Sequence, residues 1–254
     1  MAGCTLWVGG TAALAKTYFD EVHESSHAHV VVAAPEPPVW PLPAGVSYLH
    51  LNLFSQDSVA SLFARLPRPA DTLVLGVRLS LVWAGTAQVS LTANLAQLLQ
   101  GAAAAGCRSI CHISSVALMD HVSSQHNVDE DEPLPSMDVY RSEYDRFKRI
   151  SEDLIDKACA SPAGRRAGLS CVHLRISGIF SNDPACIQCT AVRNQTLVSC
   201  ATRTCIDFNT SANVAHAIRL VLERMRAAAA GGAPPARVYF YTRCTREPVP
   251  YASL

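Results

Sequence analysis

Hydrophobic positions recur along the chain with two alternating patterns. Short apolar runs, typical of strands buried on both faces, alternate with longer stretches in which apolar residues recur every three or four positions, as in helices. The predicted strands lie at residues 4–8, 29–33, 46–51, 72–77, 109–113, 170–176 and 237–241. The predicted helices lie at residues 11–22, 55–66, 86–105, 138–158 and 213–229. This alternation predicts a doubly wound α/β fold, with a mainly parallel sheet between two layers of helices.

Composition narrows the class of protein. The 254 residues can bury a substantial core, and 21 basic residues balance 21 acidic ones, which argues against a nucleic-acid partner. No apolar run approaches the ~18–20 residues of a membrane span, so none is expected. The first residues lack the basic start of a signal peptide, so we expect a cytoplasmic protein whose ten cysteines are reduced. The sequence leaves open whether the chain forms a homodimer.

A tyrosine and a lysine stand four residues apart, at Tyr144 and Lys148, within a predicted helix. On a helix they share one face, and an ammonium beside a phenol lowers the tyrosine pKa towards neutrality. Ser114 and Ser115 follow a predicted strand, where a hydroxyl can hold a substrate carbonyl against the phenol. The pattern indicates proton transfer at an alcohol or carbonyl oxygen. The alternative is a surface helix with a half-buried tyrosine and a solvated lysine.

The first predicted strand leads through Gly9 and Gly10 into the first predicted helix. Gly9 can make a tight turn, and the start of the helix can receive a pyrophosphate. The usual dinucleotide-binding pattern has two further glycines, where this chain has Ala12 and Ala15. Ala15 affects only helix–strand packing, whereas the methyl group of Ala12 stands where backbone should approach the phosphates. The alternative is an ordinary strand–helix turn that binds nothing.

The order of these motifs resembles the short-chain dehydrogenase/reductase superfamily. Three later segments, at residues 173–180, 207–217 and 237–251, are similar to its extended branch, nearest the 3β-hydroxysteroid dehydrogenase family. The resemblance implies a Rossmann-like fold that binds NAD or NADP. It also implies hydride transfer to or from a secondary alcohol or ketone, sterol- or steroid-like, as the small-molecule substrate.

The same resemblance implies roles for individual residues. Tyr144 is the expected acid/base, Lys148 lowers its pKa and binds the nicotinamide ribose, and Ser115 binds the substrate oxygen, with Ser114 as the fallback. The implied cofactor-binding positions are Gly9, Gly10, Thr11, Ala12, Leu14, Ala33, Asn52 and Lys148, and no metal ligand is implied.

Several cofactor positions depart from the family pattern. Ala33 stands where an acid normally binds the ribose of NAD, and Asn52 replaces the acid that usually touches adenine. No Lys or Arg occurs among residues 17–64 to bind a 2′-phosphate, so NAD is slightly favoured over NADP. These departures keep a catalytically degenerate nucleotide-sensing or interaction protein as the alternative. A sugar-nucleotide epimerase or reductase is the second alternative.

The C-terminal part of the chain is short for this resemblance. Residues 1–180 are predicted to form the NAD(P)-binding domain, and residues 181–254 a reduced substrate lobe interleaved with the last sheet elements. A small lobe predicts a shallow pocket. The spacing of Cys186, Cys189, Cys200 and Cys205 is loose for a zinc site, so none is expected there, and the other six cysteines are interpreted as small buried hydrophobes.

Overall fold

The computed structural model describes residues 4–10, 13–22, 29–77, 86–119, 130–180, 205–206, 208–232, 237–241 and 249–250. Its strands are β1 (Cys4–Val8), β2 (His29–Ala34), β3 (Val46–His50), β4 (Ala70–Leu75), β5 (Ser109–Ser115), β6 (Ser170–Ile176), β7 (Gly178–Phe180), β8 (Cys205–Ile206), β9 (Phe208–Thr210), β10 (Val238–Tyr241) and β11 (Val249–Pro250). Its helices are α1 (Ala13–Glu21), α2 (Gln56–Ala60), α3 (Thr86–Ala104), α4 (Glu143–Ala160), α5 (Pro162–Ala167) and α6 (Ser211–Ala229). Short 3₁₀ turns lie at Phe63–Arg65, Val116–Met119 and Met137–Val139.

Among the described residues, the main sheet has seven strands, in the order β3-β2-β1-β4-β5-β6-β10. Every neighbouring pair is parallel. The chain winds outward from β1 to β3, then returns to β4 and winds outward on the other side. This is the Rossmann order, so the predicted doubly wound fold is confirmed. The winding direction reverses between β1 and β4, and in folds of this kind the crevice outside the carboxyl ends of those two strands binds ligands.

Helices cover both faces of the sheet. Helices α3, α4 and α5 pack together on one face, where α4 contacts β5 and β6, while α1 and α6 pack together on the other. Leu6 and Leu73 belong to the hydrophobic cluster on the first face, and their neighbours Trp7 and Val74 belong to the cluster on the second. Alternate residues of β1 and β4 therefore point to opposite faces, and both faces are buried, as parallel strands require.

Helix α4 begins and ends later than the sequence pattern predicted. The Ser142 side chain caps it by accepting a hydrogen bond from the Asp145 N–H at 3.0 Å, and acidic side chains in the first turn suit the helix dipole. The predicted start at residue 138 lies instead in the 3₁₀ turn Met137–Val139. Ser161 then ends α4 and caps α5.

Beyond β6 the described chain forms two small sheets of two strands each. Strands β7 and β9 pair in parallel, and β8 and β11 pair antiparallel. Residues 181–204 lie outside the described residues, and with them the first part of the predicted lobe and three of the four cysteines considered for zinc, Cys186, Cys189 and Cys200. The division of the chain at residue 180 therefore stays a prediction. Among the described helices, none combines the length and the apolar character that crossing a bilayer needs.

Candidate active site

The crevice begins at Gly9, directly after β1. Gly9 has φ of +81°, a conformation that favours glycine, and its N–H donates a hydrogen bond to the Ala33 carbonyl at 2.9 Å. A Cβ atom on Gly9 would lie 2.7 Å from the Gly76 carbonyl oxygen. The backbone angle and the close approach both require glycine, so the turn presents backbone without a side chain to the crevice.

The neighbours of this turn have different environments. Gly10 packs on the Trp7 ring, where an added Cβ would lie 2.9 Å from Trp7 Cδ1. Leu14 of α1 is half-buried against the cluster that contains Trp7. Thr11 and Ala12, the other predicted pyrophosphate contacts, lie outside the described residues.

The two positions predicted for the adenosine side carry no carboxylate. Ala33 is fully buried, and its carbonyl holds the Gly9 turn. Asn52 Oδ1 accepts the Phe54 N–H at 2.9 Å, which makes a local turn of the kind that asparagine favours. The side-chain oxygen predicted to face adenine is therefore bound to the chain itself.

Lys148 reaches the carboxyl edge of the sheet from α4. Its Nζ donates hydrogen bonds to the Ile113 carbonyl at 2.6 Å and to the Val77 carbonyl at 3.3 Å, and the side chain is only 4% exposed. Burial lowers the pKa of Lys148 from its ordinary 10.5 to about 8, while the negative charge of Glu152 acts in the opposite direction. The structure thus places an ammonium group between the ends of β4 and β5.

Tyr144 lies in the first turn of α4, one turn before Lys148. The Lys148 Nζ is 5.8 Å from the centroid of the Tyr144 ring, and the ring is half-buried. The two side chains share one face of the helix, as their spacing indicated. At this separation the ammonium attracts the face of the ring.

The two serines at the end of β5 have different partners. Ser115 Oγ accepts the Ala117 N–H at 3.1 Å, and a hydroxyl that accepts in this way can still donate its own hydrogen. Ser114 Oγ donates to Glu152 Oε1 at 2.6 Å beneath α4. Ser115 is therefore better suited than Ser114 to bind a substrate oxygen.

A buried ion pair beneath α4 was not evident from the sequence. Arg175 of β6 donates Nε to Glu152 Oε1 at 3.1 Å and Nη2 to Glu152 Oε2 at 2.8 Å. Burial alone would raise the pKa of Glu152, but the hydrogen bonds from Arg175 and Ser114 hold it below its ordinary value. This paired contact fixes the middle of α4 against β5 and β6.

A second buried polar cluster lies farther along α4. His173 Nδ1 is 3.1 Å from His112 Nδ1, and His173 Nε2 is 3.2 Å from Asp156 Oδ1. Arg237, just before β10, donates Nε to Asp156 Oδ1 at 3.0 Å. His112 therefore has a hydrogen-bond partner in the core of the sheet.

One feature of the sequence could have identified the residues of α4 that make these contacts. Tyr144, Lys148, Glu152 and Asp156 recur every four residues, so they form a single polar stripe along α4. Their strand partners carry no comparable signal, because the partners are set by the pairing of β5 with β6.

The fold and the site together define a short-chain-type dehydrogenase/reductase. Residues 87–252 match the model of the 3-beta hydroxysteroid dehydrogenase/isomerase family. This match spans more than half of the chain, so the chain belongs to that family, and the predicted resemblance and enzyme class are confirmed. No curated protein matches the sequence significantly.

Solved structures share the fold at low sequence identity. UDP-glucose 4-epimerase from Thermotoga maritima with UDP-glucose has a TM-score of 0.75 at 14% identity, with 98% of this chain and 79% of that chain covered. WbmG from Bordetella bronchiseptica in complex with NAD has a TM-score of 0.69 at 13% identity, covering 100% and 76%. MoeE5 in complex with UDP-glucuronic acid and NAD has a TM-score of 0.72 at 16% identity, covering 99% and 79%. Such identities establish the fold alone.

Proposed function

We propose that the protein is an NAD(P)-dependent oxidoreductase that interconverts a secondary alcohol and a ketone of sterol- or steroid-like character. The observation that carries this proposal is the Lys148 ammonium at the carboxyl ends of β4 and β5, 5.8 Å from the Tyr144 ring. An ammonium and a phenol beside the Gly9 crevice suit proton transfer at a substrate oxygen. Membership of the hydroxysteroid family supports the substrate class.

Tyr144 is the proposed acid/base. In the oxidation direction its phenolate takes the proton of the substrate hydroxyl, and in the reduction direction the phenol returns a proton to the carbonyl oxygen. The Lys148 ammonium stabilises the phenolate, and Ser115 donates a hydrogen bond to the same substrate oxygen. A bound nicotinamide supplies the site that accepts or donates the hydride.

The residues present fit one end of a dinucleotide better than the other. The side-chain-free turn at Gly9 allows close approach of phosphates, and Lys148 Nζ is a donor at the edge where a nicotinamide ribose would lie. On the adenosine side, Ala33 and Asn52 offer no carboxylate. NAD is favoured over NADP because residues 17–64 contain no Lys or Arg, and the NAD bound in WbmG and MoeE5 supports this choice.

Titration with NADH and with NADPH tests the cofactor half of the proposal. Trp7 packs against Gly10, so quenching of tryptophan fluorescence is a direct readout of binding at the turn. We expect saturable quenching by both cofactors, at a lower concentration for NADH. Absence of quenching by either cofactor at millimolar concentration would contradict the proposal.

Assays with candidate substrates test the catalytic half. We expect NADH to form when NAD⁺ and a 3β-hydroxysteroid are supplied, and no epimer to form from UDP-glucose. The second alternative, a sugar-nucleotide enzyme, predicts the opposite pattern.

A catalytically degenerate nucleotide-binding protein is the second candidate. It is favoured by the adenosine side of the crevice, where Ala33 is buried and the Asn52 oxygen is held in a local turn. Saturable NADH binding without hydride transfer to or from any alcohol or ketone would select this candidate.

A further inference from the structure

A group of metal-binding side chains lies at the opposite end of α4 from Tyr144. Cys171 Sγ is 3.5 Å from Asp156 Oδ1 and 3.9 Å from His173 Nε2, and His173 Nε2 is 3.2 Å from Asp156 Oδ1. We propose that Asp156, Cys171 and His173, together with Cys159, form a binding site for Zn²⁺. The site is separate from the candidate active site, and this proposal does not depend on the proposed function.

The three distances match one face of a zinc tetrahedron. Zinc binds thiolate at ≈ 2.3 Å, imidazole at ≈ 2.0–2.1 Å and carboxylate at ≈ 2.0–2.2 Å, so tetrahedral geometry places the ligand atoms about 3.3–3.6 Å apart. The observed 3.2, 3.5 and 3.9 Å bracket this range. Only small side-chain movements are needed to admit the ion.

Cys159 is the fourth proposed ligand, and its thiol has to turn towards the other three residues, whose ligand atoms all lie within 4.8 Å of one another. It follows Asp156 by three residues on α4, so the two side chains project from the same face of the helix. The Cys159 thiol also interacts with the Cys171 thiol. Two thiolates, an imidazole and a carboxylate are ligands that suit Zn²⁺.

The surroundings of the ligands resemble a metal centre as well. His173 Nδ1 is 3.1 Å from His112 Nδ1, so the second ring nitrogen has a partner while Nε2 faces the cluster. Metal-binding histidines usually have such a partner, which fixes the orientation of the ring. Arg237 donates Nε to Asp156 Oδ1, the proposed ligand atom, and its Nη2 contacts the other carboxylate oxygen, Oδ2. This cation offsets part of the negative charge of the ligands.

The proposed ligands include a buried histidine held by a strand and a partly exposed aspartate that solvent can reach. His173 is buried in β6, whereas the Asp156 side chain is 25% exposed, so an ion can enter beside Arg237. Asp156 follows Tyr144 by twelve residues, which is about 18 Å along the helix. We therefore expect the metal to tie α4 to β6 without taking part in hydride transfer.

Titration of the reduced full-length protein with Co²⁺, a spectroscopic substitute for Zn²⁺, tests the proposal. We expect one tightly bound ion that shows thiolate-to-cobalt charge transfer and the visible bands of a tetrahedral site, and is displaced by Zn²⁺. Cys171→Ser and the nearly isosteric Asp156→Asn should each weaken Co²⁺ binding about tenfold or more. At the same concentration, Zn²⁺ should also raise the melting temperature of the wild-type protein more than that of these variants.

Two controls separate this site from other thiols. Cys107→Ser removes a buried thiol from the same face of the sheet and should leave the spectrum unchanged. A Cys186→Ser/Cys189→Ser double variant removes two of the four other candidate zinc ligands and should also leave it unchanged. The proposal is wrong if the wild-type protein binds no stoichiometric Co²⁺, or if the signal survives Cys171→Ser and Asp156→Asn but is lost in the double variant.

Discussion

The two ends of helix α4 present the same kind of polar stripe to very different partners. At its beginning, Lys148 meets the backbone carbonyls of Val77 and Ile113 beside the crevice. Near its end, Asp156 meets side chains, an imidazole and a guanidinium. The hydrogen bonds of the Lys148 cation given above are therefore to uncharged carbonyls, so its charge can act on a substrate or cofactor. The second end has its charge paired, which favours a structural role.

The middle of the helix connects these two ends. Glu152 is buried and accepts hydrogen bonds from Arg175 and Ser114, so it joins α4 to both β6 and β5. We infer that this contact sets the height of α4 above the sheet, and with it the position of Tyr144 and Lys148, the proposed catalytic pair.

The largest loss of folding stability is expected from Glu152→Gln, which removes the carboxylate that joins the middle of α4 to β5 and β6. The change removes the carboxylate charge that faces the buried Arg175 guanidinium, and breaking a buried ion pair costs ~3–5 kcal/mol. Urea unfolding measures the loss of stability.

Asp153→Asn is the matched control, because it removes an acid from the same helix. Asp153 pairs with Arg149 nearer the surface, and the change should cost at most about 0.5 kcal/mol. Equal losses in the two variants would contradict the assigned role of Glu152.

The next effect is on the pH dependence of folding stability, and it comes from the Lys148 ammonium near the beginning of α4. Because the pKa of Lys148 is about 8 in the folded protein and 10.5 ordinarily, the unfolded chain binds the extra proton between these values. Stability of the wild-type protein should therefore rise with pH across this window, by about 3 kcal/mol relative to Lys148→Met. Urea unfolding from pH 7 to pH 11 measures this difference.

Lys157→Met is the control, since Lys157 is exposed on the same helix. The two variants are compared over the same pH range. A difference from the wild-type protein that is no more pH-dependent for Lys148→Met than for Lys157→Met would show that Lys148 is not desolvated.

A third, smaller effect concerns the Gly9 turn, the proposed cofactor-binding turn. There the cost of a positive φ can be separated from the clash of a new side chain with backbone. Gly9→Ala and Gly106→Ala both place a side chain at positive φ, +81° and +84°, which costs about 1–2 kcal/mol in each. Only at Gly9 does the new Cβ meet backbone, whereas at Gly106 nothing lies within 4 Å. We expect loss of NADH quenching in Gly9→Ala alone, and equal binding by both variants would count against the crevice.

The smallest loss of folding stability is expected from Asn94→Leu. Asn94 Nδ2 donates to the Leu53 carbonyl at 2.8 Å, so it holds the loop after β3 rather than the crevice. Loss of this bond should cost about 1 kcal/mol in urea unfolding, with no change in turnover. A large fall in kcat with unchanged stability would instead place Asn94 in catalysis.

The sequence pattern predicted elements wherever local periodicity decides the structure. Strand β1 has the predicted bounds, and α3 ends one residue earlier than expected. Strand β5 was predicted to end at residue 113 but continues to Ser115, because Ser114 and Ser115 pair with Arg175 and Ile176 of β6. Pairing between distant segments leaves no periodic signal, so such extensions escape prediction.

The candidate site shows the same contrast between local sequence spacing, which could be predicted, and contacts between distant segments, which could not. The shared face of Tyr144 and Lys148 follows from four-residue spacing, and the structure shows it. The contact of Glu152 with Arg175 and that of Asp156 with His173 depend on how β6 lies under α4, which spacing along one helix cannot specify. The buried character of Lys148 was likewise not predictable, because the carbonyls that receive it come from two separate strand ends.

The most direct test of the central claim is the turnover of Tyr144→Phe, measured as NADH formation from NAD⁺ and an alcohol that the wild-type protein oxidises. Tyr140→Phe is the control, because the Tyr140 hydroxyl donates to the Leu118 carbonyl and is expected to affect stability only. We predict that Tyr144→Phe lowers kcat by ~10²–10⁴-fold while NADH binding is unchanged, and that Tyr140→Phe retains turnover. Unchanged turnover in Tyr144→Phe would contradict the account.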